Sequence, residues 1–153
     1  MSGAFRCGAM LAVLWSVLIT SASASAPTGE FDIDLVVIGA DPNVGKIVAS
    51  LFDSSESYMR EPLAEAGVRV DPNGAAVVDF GSHPPGLYAI VVYYDKNENG
   101  KLDTGMFRIP KEKIGFSNDA KGRFGPAKWA DAQFSLESSH VQIEIHLTRA
   151  AAD

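Results

Sequence analysis

The sequence predicts an all-β fold, an antiparallel β-sandwich of about seven strands carrying one long ordered loop. Three observations point to it. Short segments rich in Val, Ile, Leu, Phe and Tyr recur along the chain. Clusters of Gly, Pro, Asn and Asp separate them, and no amphipathic helical pattern of useful length interrupts the series. With 153 residues, 46% of them hydrophobic, the chain has enough material for one core that needs neither a disulfide nor a metal to hold it.

The N-terminus is a separate matter. Residues 1–8 (MSGAFRCG) carry the single charge of Arg6, and an apolar run over residues 9–19 follows. That run is too short to span a bilayer. The small-residue stretch TSASASA then precedes Pro27, completing the three-part pattern of a secretory signal peptide cleaved after Ala24. The expectation is a signal over residues 1–24 and a single domain over residues 25–153, periplasmic or secreted, with no transmembrane segment. Loss of Arg6 changes the net charge from −6 to −7. Loss of Cys7 leaves no thiol nucleophile, thiolate metal site or disulfide. Cys7 lies before the apolar run, so it is not placed as a lipoprotein acylation site. Lys+Arg number 13 against 19 Asp+Glu, with no Lys/Arg cluster in the sequence, which argues against a nucleic-acid partner.

Residues 30–38 (EFDIDLVVI) put Phe31, Ile33 and Leu35 on one face and Asp32 and Asp34 on the other, the alternation of a half-buried strand. A turn over residues 39–43 leads to a second strand at 46–52 (KIVASLF), and the two read as an antiparallel hairpin. Serines near 54–57 and Pro62 break the pattern, with room for a helical turn. Residues 67–70 and 75–80 flank Asp71-Pro72-Asn73-Gly74, where Pro presets φ and Gly accepts positive φ, a second hairpin signal. After Pro84-Pro85-Gly86, the run 87–94 (LYAIVVYY) is apolar nearly throughout, as a central strand covered on both faces requires. A short strand is expected at 132–136. In the last strand Val141, Ile143, Ile145 and Leu147 alternate with Gln142, Glu144 and His146, leaving one face wet. The remaining stretch, 95–131, is too long for a simple connection. Its aromatics Phe107, Phe116, Phe124 and Trp129 argue for a loop folded against the sandwich, because disordered segments are poor in them.

One motif carries chemistry. In Asp95-Lys96-Asn97-Glu98-Asn99-Gly100-Lys101-Leu102-Asp103, oxygen side chains stand at positions 1, 3, 5 and 9, and Gly stands at 6. This matches the first nine positions of a calcium loop, in which Lys101 at position 7 would offer its carbonyl. The candidate metal residues are therefore Asp95, Asn97, Asn99, Lys101 and Asp103. Met106 occupies position 12, where a bidentate Glu belongs, so a distant acid is needed to complete the set. The alternative is an Asn-Gly turn closed by local Asx bonds.

Other motifs fail. In Gly39-Ala40-Asp41-Pro42-Asn43-Val44-Gly45-Lys46 the glycines have the wrong spacing for a phosphate loop, and Ile47 replaces the magnesium-holding hydroxyl. His83, His140 and His146 have no metal-ligand spacing. Ser117 lacks the following glycine of a nucleophile elbow, and nothing in the sequence brings Glu112 to Asp131 for acid/base work.

The order of motifs resembles a family. Gly45-Lys46-Ile47-Val48 is followed by residues 74–80 (GAAVVDF), 85–103 (PGLYAIVVYYDKNENGKLD), Ile109-Pro110-Lys111-Glu112, Gly115-Phe116-Ser117-Asn118 and Phe124-Gly125-Pro126. The chain resembles DUF2141, a family of exported bacterial proteins, over nearly all of the mature sequence. That family often has His before the first Asp of the loop, where this chain has Tyr94. The Pro-Gly-x-Tyr turn is also similar to prealbumin-like modules of bacterial surface proteins, which are structural or binding parts. The resemblance implies a prealbumin-like or Ig-like sandwich and an exported location, and no particular activity.

The expectation is an exported, non-enzymatic binding or structural module for a protein or cell-envelope ligand, stabilised by calcium at residues 95–103. The candidate binding residues are Phe107, Glu112, Phe116, Ser117, Asn118, Phe124 and Trp129, since loops on rigid scaffolds often carry function. The alternative is a periplasmic hydrolase or carbohydrate-active enzyme using acids of the 95–131 loop.

Overall fold

A computed structural model describes residues 29–106, 109–123, 125–137 and 139–149. The expected signal peptide with Cys7, and the candidates Phe107 and Phe124, lie outside the described residues. Among those described, nine strands form: β1 (Phe31–Ile38), β2 (Lys46–Phe52), β3 (Ala64–Arg69), β4 (Ala75–His83), β5 (Gly86–Asp95), β6 (Lys113–Phe116), β7 (Phe134–Leu136), β8 (Val141–His146) and β9 (Thr148–Arg149). A 3-10 turn (Ser117–Asp119) and one helical turn, α1 (Trp129–Ala132), complete the elements.

They make a sandwich of two sheets. The smaller has the order β4-β1-β8, the larger β3-β2-β5-β6-β9 with β7 paired to β5. Alternation places Ile33, Leu35 and Val37 of β1 against Ile47, Ala49 and Leu51 of β2 and Tyr88, Ile90, Val92 and Tyr94 of β5 in one buried cluster. At roughly 1.5–3 kcal/mol for each large apolar side chain removed from water, this cluster is the main source of stability. The run in β5 is covered on both faces, as its composition requires. Ala89 turns away from the inter-sheet core and packs with Phe116, Ala127 and Ala132. Tyr58 and Trp129 flank this second cluster edge to face, with ring centroids 5.7 Å apart.

Four features differ from the sequence reading. β1 and β2 are not a hairpin but lie in different sheets. Their connection is held by the neighbouring turn, through Ala40 N–H to the Gly74 carbonyl and Asn43 N–H to the Asp71 carbonyl, each 3.0 Å. The 71–74 turn forms as its residues dictate, with Asp71 Oδ1 accepting from the Asn73 and Ala75 amides at 2.8 Å. Its flanking strands, however, diverge into opposite sheets. Turn chemistry reverses the chain; it does not choose the sheet. Third, β8 runs parallel to β1, with Ile33 opposite Val141 and Ile38 opposite His146, so the smaller sheet is mixed rather than antiparallel. Fourth, the 95–131 stretch is not a single loop: β6 returns as a strand beside β5, and α1 closes over it.

Candidate functional site

The loop that follows β5 is organised by its first acid. Asp95 ends the central strand and is fully buried, because Lys46 of β2 lies opposite it in the ladder and the following residues fold back over it. Its carboxylate accepts from the Asn99 amide at 3.0 Å and the Gly100 amide at 2.8 Å, and the Lys46 ammonium lies 3.5 Å away. Two residues take positive φ to make the bend, Glu98 at 55° and Gly100 at 74°. Arg69 of β3 grips the Glu98 carboxylate through two bonds of 3.0 and 3.1 Å.

The other candidate metal residues meet at Asp103. Asn97 Nδ2 donates to Asp103 Oδ2 at 2.8 Å and Asn99 Nδ2 to Asp103 Oδ1 at 3.1 Å. The amide oxygens of both asparagines accept backbone N–H groups, from Asn99 and Lys101. Met106 is 80% exposed and contributes nothing to the loop. Glu112 closes it instead, accepting from the Lys96 amide at 3.1 Å through Oε1 and from the Asp103 amide at 3.0 Å through Oε2. The register of β5 with β6 pairs Tyr93 with Ile114, and its continuation sets Glu112 across from Asp95. Among the described residues, no group of three or more His, Cys, Asp or Glu stands together as a metal cage. A cation at this loop would therefore draw on Asn and backbone carbonyl oxygens as well, which calcium accepts.

The remaining candidates divide. Phe116 and Ser117 are buried, at 5% and 0% exposure, and form part of the cover over β5 rather than a presented surface. The Ser117 hydroxyl accepts from the Ile90 amide at 2.9 Å and donates to the Ala132 carbonyl. It fastens α1 to the middle of the central strand. Asn118, exposed at φ 61°, donates from Nδ2 to the Gln133 carbonyl at 2.8 Å, and Trp129 lies half-buried on the same cover. Ser117→Ala leaves the Ile90 N–H without its acceptor inside the sandwich, and about 2 kcal/mol of stability is lost. Urea unfolding of the two proteins measures this, and a difference below about 0.5 kcal/mol would remove the fastening role.

Sequence reasoning missed one contact of this region. Asp119, also at positive φ, accepts from the His146 backbone amide at 2.8 Å and lies 2.9 Å from its Nδ1. It ties the 3-10 turn to the end of β8. The signal was available only as two polar residues distant in sequence.

A protein-family model described as "Uncharacterized protein conserved in bacteria (DUF2141)" matches residues 35–144. No curated protein and no solved structure matches the chain. Among the described residues, no helix is long and apolar enough to cross a membrane.

Proposed function

The chain belongs to the DUF2141 family of bacterial proteins, and from that premise we propose an exported, non-catalytic β-sandwich module whose 95–103 loop binds calcium and presents a protein- or envelope-binding crest. The observation that carries this reading is the position of Glu112. It supplies the distant acid that the calcium-loop pattern lacks at Met106, and it links both ends of the loop by their backbone amides. Asp95, Asp103 and Glu112 do not close into a three-acid cage, so the reading requires Asn and backbone carbonyl oxygens to complete the cation's shell, and modest affinity is expected. The crest itself, residues 96–102, is exposed throughout, whereas Phe116 and Ser117 belong to the interior. The ligand surface is therefore assigned to the crest rather than to the 113–131 cover.

Calcium that binds the folded state alone raises stability by about 2.7 kcal/mol at a hundredfold excess over Kd. The test is a melt of the mature protein in excess EDTA and in millimolar calcium. The expected result is a rise in melting temperature with calcium that Glu112→Gln abolishes. An unchanged melt, or a gain that survives in Glu112→Gln, would overturn the calcium assignment.

A further inference from the structure

The sequence has no basic cluster, yet the fold assembles one. β6 pairs with β9 so that Lys113 lies opposite Arg149, and the end of β5 brings Lys96 to the same place. With Lys111 these four cations line a cavity of about 150 Å³ whose other walls are Asp41, Tyr94 and Glu112. Four positive groups face two carboxylates, a local surplus of opposite sign to the chain's net −6.

The two acids are already engaged. Glu112 holds the Lys96 and Asp103 amides, and Asp41 pairs with Lys96 at 2.6 Å. That ammonium holds the Asp41 carboxyl below its ordinary range, with further pull from Lys113 and Arg149. Asp41 in turn raises Lys96, while Arg149 repels it, so the guanidinium stands close enough to be felt. Lys113 spends one donor on the Gly39 carbonyl, at 2.6 Å. Among the described residues, Lys111, Lys113 and Arg149 have no carboxylate at ion-pair distance. Three like charges gathered around one concavity repel each other until an anion enters, and a guanidinium fork with ammonium groups beside it matches the oxygens of a tetrahedral anion.

We propose that the cavity between Lys96, Lys111, Lys113 and Arg149 binds a phosphate or sulfate group. The cavity borders the calcium loop and shares Lys96 and Glu112 with it, but its surplus charge comes from Lys111, Lys113 and Arg149 and needs no bound calcium. The test titrates the isotope-labelled full chain with inorganic phosphate and, separately, with sulfate, at ionic strength held constant with chloride, and follows amide shifts by NMR. The expected result is a saturable shift centred on Lys96, Lys113 and Arg149. It weakens at least tenfold in Lys113→Gln/Arg149→Gln and is unchanged in Lys128→Gln, an exposed residue before α1. Should the double variant fail to fold, Lys111→Gln gives the reading, with a loss of about threefold expected from one charge at partial exposure.

A second arm sediments the protein with phosphatidylglycerol or phosphatidylcholine vesicles. Binding to the anionic vesicles that the same substitutions remove places the phosphate on a lipid. Saturable binding of the free ions without vesicle binding makes the ligand a soluble oxyanion. Absence of saturable binding in both arms, or equal affinity in the substituted protein, would overturn the site.

Discussion

Asp95→Ala lowers the melting temperature by about 10 °C. The carboxylate is fully buried, caps two loop amides and faces Lys46. Its removal strands the Asn99 and Gly100 donors and leaves the lysine without its counterion. Breaking a fully buried ion pair by deleting one partner costs about 3–5 kcal/mol. The Lys46 side chain is 31% exposed and rehydrates in part, which places the cost near the lower bound, about 3 kcal/mol. For a domain of this size that corresponds to a shift of roughly 10 °C. Asp95→Asn keeps one acceptor and loses about half as much. A thermal melt of the three proteins in EDTA separates this structural role from any effect of calcium. A drop of less than about 3 °C for alanine would mean that the loop holds itself without Asp95.

The companion expectation is that Gly45→Ala costs at least about 3 kcal/mol although it adds a single methyl group. Gly45 has a φ of 69°, and a Cβ placed there would stand 2.6 Å from the Asp95 carbonyl oxygen and 2.8 Å from Lys96 Cα. The left-handed conformation alone costs an L residue about 1–2 kcal/mol. The remainder arises because both obstructing atoms are backbone, so relief requires β2 to move away from β5 at the mouth of the loop. Gly100 provides the control. Its φ is 74°, but an added methyl group would meet nothing within 4 Å, so Gly100→Ala carries the conformational cost only. Urea midpoints for the pair measure the difference, and equal losses would show that contact with Asp95 and Lys96 is unimportant.

The limits of the sequence reading follow from what hydrophobic periodicity encodes. Alternation tells which residues of β1 face the core, and Ile33, Leu35 and Val37 do so. It carries no information about the neighbouring strand, so β1 and β2 read as a hairpin when the 39–45 connection crosses between sheets. The same blindness hid the parallel pairing of β8, whose one wet face was plain in Gln142, Glu144 and His146. The run in β5 announced a central strand because only double burial tolerates so few polar residues. At the loop, spacing singled out Asp95, Asn97, Asn99 and Asp103 as candidates, and the fold joins them by hydrogen bonds. Glu112 reaches them through the β5–β6 register, which is a tertiary fact. The basic cavity was invisible for that reason too, since Lys96, Lys113 and Arg149 meet only after three strands have paired.

The parallel contact between β1 and β8 also governs when the molecule can become itself. Ile33 and Val141 are partners although nearly the whole folded chain lies between them, and closing so long a loop must precede any gain from the pairing. Such non-local contacts slow folding. β1 is made before β8, and its central place between β4 and β8 is completed only once Val141–His146 is available to pair. Until then its apolar face lacks part of its cover. Completion of the smaller sheet therefore waits on β8.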